Sequence, residues 1–130
     1  MKIINQFPFE FYGTIFELYQ TGAEEFYLSI KALCDSINLD YKSEYRRIKE
    51  DDILPVSVVS LRTIVFREGG PSRERDVACL RLDCLPFWVC TINTTKMNSP
   101  YKEKILKYKQ SVARALWEIN KSSMFPIKPP

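Results

Sequence analysis

The spacing of apolar side chains along the chain changes character from segment to segment, and each change marks an element. Phe9 to Tyr19 is dense in aromatic and β-branched residues and is interrupted by Gly13, which predicts two short strands or one bulged strand. Thr21-Gly22-Ala23-Glu24-Glu25 reads as a turn, and Phe26-Tyr27-Leu28 as a short return strand. From Ser29 the period lengthens: Ile30, Leu33, Cys34 and Ile37 fall on one face of a helix that Ser29 caps. Asn38-Leu39-Asp40 breaks that helix, and a second short one follows. It turns Leu39, Tyr41, Tyr45 and Ile48 inward and Ser43, Arg46, Arg47 and Glu50 outward. Two short helices about a tight corner outline a helix-turn-helix.

Val56 to Phe66 is rich in β-branched residues and predicts a strand, Arg67 to Glu74 carries turn formers, and Arg75 to Leu82 reads as the partner strand. The result is a long hairpin with arginines at and beside its tip. Asp83 to Ile92 predicts a short helix or turn that sends Leu85, Phe87, Trp88 and Ile92 into the core. Ser99-Pro100 then announces the longest helix, with serine at the N-cap and proline at the first helical position. Tyr101, Ile105, Tyr108, Val112, Ala115, Leu116 and Ile119 form its apolar seam, widened by Leu106, Ala113 and Trp117, with Lys104, Lys107, Ser111, Arg114 and Glu118 opposite. Such a helix is expected to be buried broadly and exposed narrowly, lying against a sheet. The fold class expected is α+β: a small antiparallel sheet, a helix-turn-helix-like pair, a long basic hairpin and a long C-terminal helix packed on the sheet.

With 130 residues, 45% hydrophobic and 27% charged, the chain suits one domain with one core. We place that domain at residues 1–122 and read 123–130, with Pro126, Pro129 and Pro130, as a tail or the start of a linker. No stretch approaches the roughly 18 apolar residues of a membrane span and none resembles a signal peptide, so a cytoplasmic site without a membrane partner is expected. Cys34, Cys79, Cys84 and Cys90 each lie in an apolar segment and read as buried thiols; without histidine or a C-x2-4-C pair, a metal site is not expected.

The absence of histidine also removes the commonest general base near neutral pH. Asp51-Asp52 and Glu24-Glu25 are sequence neighbours whose side chains diverge on a helix or a strand, and Gly69-Gly70-Pro71 lacks the context of a phosphate loop. The chain is therefore read as non-enzymatic and without cofactor. A net charge of +3 is a weak bias, so a nucleic-acid role must rest on where the cations fall. Ser43, Arg46, Arg47 and Lys49 sit on or beside the outer side of the second short helix, where a recognition helix meets a major groove. Arg62, Arg67, Arg73 and Arg75 gather on the hairpin as a wing would carry them, and Lys104, Lys107 and Arg114 share a face of the last helix. The bland alternative is that all three are solvated, salt-bridged surfaces.

Three ordered blocks resemble the amino-terminal domain of phage antirepressors, related to the Bro-N group of viral and prophage proteins. The first runs from Phe26 to Asp40 and on through Tyr45-Arg46-Arg47-Ile48-Lys49-Glu50-Asp51; it is similar to the family's strand, helix, glycine-bearing corner and second helix. The second is Val77-Ala78-Cys79-Leu80 with Leu85-Pro86-Phe87-Trp88-Val89-Cys90-Thr91-Ile92-Asn93, and the third Tyr101 to Gln110 with Leu116-Trp117. Asn38 stands where the family usually has glycine, Arg81 where it has proline and Phe87 where it has glycine, and the Glu-Cys pair after Tyr-Gln is missing. The resemblance implies prophage or viral gene control, either by binding double-stranded DNA or by binding and inactivating a phage repressor protein in the bacterial host. An oligomerising module is the third reading, with a homo-oligomer as its consequence.

Overall fold

The protein is seen in a computed structural model that describes residues 1–65 and 68–124. Two compact units divide it, residues 1–88 and residues 89 onward. In the first, β1 (Asn5–Phe11), β2 (Thr14–Gly22), β3 (Glu25–Ser29), β4 (Val58–Val65) and β5 (Arg73–Arg81) make an antiparallel sheet in the order β1-β2-β3-β5-β4. Between β3 and β4 run α1 (Ile30–Ser36), α2 (Tyr41–Glu50) and a 3₁₀ turn over Leu54–Ser57. The α+β class is as expected from the sequence.

Period-two alternation settles the sheet. In one row Leu18 faces Leu28, Leu28 faces Leu80, and Leu80 faces Val58; Leu18, Leu28 and Leu80 are buried. The opposite face carries Tyr19, Tyr27, Leu61 and Cys79, with Ile3, Val59 and Val77 against them. β3 is thus buried on both sides, and its two leucine and tyrosine layers hold the sheet by apolar burial. Tyr19 and Thr63 are both buried on that second face.

At the first turn Phe11 pairs with Thr14, and Tyr12 and Gly13 both take positive φ, 47° and 84°. This is the backbone of a two-residue hairpin whose twist matches its strands, so the interruption at Gly13 separates two strands and leaves no bulge there. The one irregularity in that region falls between Gln20 and Gly22. Ser29 ends β3 and begins α1: it pairs with Cys79, keeps extended dihedrals, and its Oγ accepts the Ala32 amide at 3.2 Å. At the far end of α1, Asn38 adopts φ +57°, the Leu39 amide donates to Cys34 O at 2.9 Å, and the Asn38 amide donates to Asp35 O at 3.4 Å. Those two bonds form a Schellman closure, which needs a left-handed residue; asparagine tolerates that state better than most, in the place where the related family has glycine.

Several boundaries differ from the sequence reading. Val56 and Ser57 belong to the 3₁₀ turn that Leu54 and Pro55 open, and Val56 stays exposed. β5 begins at Arg73, so Arg73 and Glu74 pair with β4 rather than turn. Arg67 lies outside the described residues, as do 125–130 in the tail. α3 (Leu85–Thr91) and Ile92 bury Leu85, Trp88, Val89 and Ile92 at helical spacing, which leaves Phe87 a third of a turn away and exposed. Cys34 and Cys79 are buried, but Cys90 is exposed on the outer side of α3 and Cys84 is half-buried.

In the second unit α4 (Tyr101–Met124) starts after a cis Ser99–Pro100 bond, and Ser99 Oγ donates to the Glu103 carboxylate at 2.9 Å instead of capping. Lys109 Nζ donates to Ile92 O at 2.5 Å. The apolar seam of α4 is covered at Ile105 and half-covered at Tyr101, Tyr108 and Val112, but Leu116, Trp117 and Ile119 are 54%, 38% and 72% exposed. Helical periodicity fixes which residues share a face; it cannot say how far a covering neighbour extends.

Two predictions follow from these contacts. Ser29→Ala should lower unfolding free energy in denaturant titration by about 1 kcal/mol, with Ser29→Thr losing much less, because only the cap is removed. The pH profile of stability should be flat between about 5 and 8, where no histidine titrates. Asp40 is held below its ordinary 3.8 first by the Ser43 hydroxyl, and Asp51 first by the Leu54 amide. Carboxyls lowered on folding add stability that is present above about pH 4 and lost as pH falls through their folded values. Burial pushes the Cys34 and Cys79 thiols from 9.0 up to about 12. Their contribution is full below pH 9 and is lost as pH rises towards 12, so Tm measured against pH should decline on both sides of the plateau.

Candidate nucleic-acid interface

The sequence placed its first cations on α2, and the helix is set by its cap. Asp40 accepts the Ser43 amide at 3.0 Å and the Ser43 hydroxyl at 2.7 Å. Ser43 is therefore committed to the helix start, which orients α2 rather than offering a free hydroxyl to a base edge. Ile48 is fully buried, with Tyr41, Glu44 and Tyr45 half-buried beside it. At about 100° per residue, Lys42, Arg46 and Lys49 fall within roughly 60° of one another on the flank next to Tyr45. All three are exposed and make no ion pair among the described residues. Lys49 Nζ lies 5.8 Å from the Tyr45 ring centroid, and the Tyr41 and Tyr45 rings stand 5.7 Å apart. On the other flank Arg47 donates to Oε1 of the half-buried Glu44 carboxylate through Nη2 at 2.6 Å and Nε at 3.2 Å, with Nε also 3.4 Å from Oε2.

The helix thus separates its charges. Arg47 is neutralised, whereas Lys42, Arg46 and Lys49 form a basic row with the exposed Glu50 at its edge, one turn after Arg46 and in no ion pair with it. Lys42 was not among the residues singled out from sequence; its signal was present, because it stands four residues before Arg46 and seven before Lys49, the spacing of one helical face.

On the hairpin the pairing register sorts the arginines. Arg62 faces Asp76 directly and Glu74 diagonally, and it pairs with both at 3.4 and 3.5 Å. Arg75 faces Thr63, and Arg73 faces Val65. Since successive side chains in a strand alternate, Arg73 and Arg75 lie on the opposite face of the hairpin from Arg62. The hairpin therefore has two differently charged faces instead of a uniformly basic wing. Arg81, at the other end of β5, donates to Asp83 at 2.6 Å.

Within α4, Lys107 is exposed and Lys104 half-buried one turn before it. Arg114 pairs with Glu118 at 3.2 Å, and Glu118 also takes Lys121 at 2.7 Å. The basic stripe is real over Lys104 and Lys107 and is compensated from Arg114 onward. Among the described residues no group of three histidine, cysteine, aspartate or glutamate side chains could hold a metal. No helix among them is long and apolar enough to cross a membrane.

A family model described as the P22_AR N-terminal domain matches residues 9–123. No curated protein and no solved structure matches the chain.

If the Arg62 pairs are ordinary surface salt bridges, Arg62→Ala should change unfolding free energy by no more than about 1 kcal/mol, as half-exposed pairs do. A denaturant midpoint shift well beyond that range would mean the hairpin depends on them.

Proposed function

The chain belongs to the P22_AR N-terminal domain family, the phage antirepressor and Bro-N group, and from that premise we propose that it is a gene-regulatory domain that contacts double-stranded DNA through one flank of α2. Membership implies a regulatory role exercised through nucleic acid or protein. The observation that carries the DNA reading is the row Lys42, Arg46 and Lys49, none of them in an ion pair among the described residues, on a helix held by the Asn38 corner and the Asp40 cap. Point charges fixed on one surface add their fields, and each phosphate neutralised releases counterions. Arg73, Arg75, Lys104 and Lys107 remain candidates for further phosphate contact. Arg47, Arg62 and Arg114 would have to break an ion pair first, which makes them poorer contacts.

A second reading is favoured by a separate observation. Leu116, Trp117 and Ile119 expose a tryptophan and two aliphatic side chains on the last turns of α4, the composition of a protein-binding hot spot. On this reading the domain binds and inactivates a phage repressor through apolar contact.

The two readings separate in one binding experiment. Fluorescence anisotropy with a labelled DNA duplex should give affinity that falls steeply with salt. The triple change Lys42→Ala, Arg46→Ala and Lys49→Ala should weaken binding at low salt at least tenfold and make the slope of log K against log salt shallower by about 2.7. Arg62→Ala should leave both nearly unchanged. An unaltered slope in the triple variant, or no binding at low salt, would sink the α2 site; affinity for a repressor that survives salt but is lost in Leu116→Lys would establish the second reading.

A further inference from the structure

β3 stops at Ser29, yet both of its neighbours run on. Thr14–Glu17 of β2 pair only with β1, and Arg73–Ala78 of β5 pair only with β4, among the described residues. A strand in the middle of the sheet order thus has an open hydrogen-bonding edge over six residues. Beside it lies a cleft of about 720 Å3, walled by Glu17 and Tyr19 on one side and Arg75, Val77 and Ala78 on the other, with Tyr41 of α2 also lining it. That volume is in the range of sites that hold small ligands or short peptide segments.

We infer that this cleft takes up a single extended peptide segment of a partner protein, which pairs its main chain with the open edge of β5. On the edge of β5 away from β4, the backbone donors and acceptors of Arg73–Ala78 have no strand beside them, and an extended chain is the ligand whose own backbone matches them. Continuing the β2–β3–β5 register past Ser29, the row between Phe16 and Ala78 is where the chain itself turns into α1 at Ile30, and successive residues of the segment then lie between Ile15 and Val77, between Thr14 and Asp76, and beside Arg75. The segment therefore carries an apolar side chain at its first position, between Ile15 and Val77, and its third position shares that face beside Arg75. Two charges in the lining, Arg75 and Glu17, make no ion pair among the described residues, whereas Asp76 is held by Arg62 and Lys31 by Asp35. An acidic residue at that third position meets Arg75, while Glu17 stands level with Ser29 at the entry of the cleft. Charged side chains along an exposed edge also discourage indiscriminate pairing, so the same residues that admit a matching strand turn others away. This site is separate from the α2 ridge and does not depend on DNA binding.

The probe is an array of peptides about six residues long, the usual strand length, made of alternating valine and threonine with one glutamate and one lysine at varied spacing. Binding to the full chain is read by amide chemical shifts and hydrogen exchange. At least one arrangement should bind more tightly than about 1 mM, shift the amides of Arg73–Ala78 and slow their exchange. The same peptide N-methylated along its backbone should lose that binding. Arg75→Glu should weaken the original peptide about tenfold and bind better the peptide with its glutamate changed to lysine. No binder in the array, equal binding of the N-methylated peptide, or shifts confined to α4 would each overturn the proposal. So would self-association in sedimentation velocity that protects the same amides without peptide, since a second copy would then be the occupant.

Discussion

Everything in the first unit turns on Ser29, a residue that is the last of a strand and the first cap of a helix at once. Its backbone completes the pairing of β3 with β5, while its side chain satisfies an amide of α1 that would otherwise have no partner. Because β3 is buried on both faces, its position is fixed by the leucine row on one side and the tyrosine layer on the other. The direction in which α1 leaves the sheet is then determined, and with it the corner at Asn38 and the start of α2. The same stop that launches the helices leaves β2 and β5 without a neighbour further on. One local choice between strand and helix thus generates both the basic ridge of α2 and the cleft beside β5.

Electrostatics in this protein is largely a matter of pairing. Nineteen cations face sixteen acids, so a small excess acts at a distance only where geometry keeps opposite charges apart. On α2 Glu44 is turned to the other flank and held by Arg47, and Glu50, at the edge of the basic row, makes no ion pair with it among the described residues. On the hairpin the opposite happens, because the register brings Asp76 and Glu74 onto the side of Arg62. Screening by salt makes any exposed pair a weak contributor to stability, yet the pairing still decides which cations carry an uncompensated field.

The long helix of the second unit joins two environments in one element. Its first turns contain covered positions, whereas residues 113–123 are exposed on every side, Leu116, Trp117 and Ile119 included. Short isolated helices are marginal in water, so an exposed apolar stretch of this kind is suited to contact with another surface.

Local chemistry was written in the sequence. The shift from period two to period three or four at Ser29 identified a strand running into a helix, Gly13 marked the first turn, and Asn38-Leu39-Asp40 encoded a left-handed corner and the cap that follows it. The ordered blocks from Phe26 to Trp117 carried the family itself. These features depend on residues within one or two turns of each other, whose preferences act before any tertiary contact forms. Long-range pairing decided the rest. Whether Arg62 or Arg75 keeps a free charge depends on strand register, since a shift of one residue moves every side chain to the other face. Whether the seam of α4 is covered depends on where its neighbours end, and the open edge of β5 exists because β3 is shorter than both strands beside it. Such facts arise only when distant segments meet, so no local pattern could have held them.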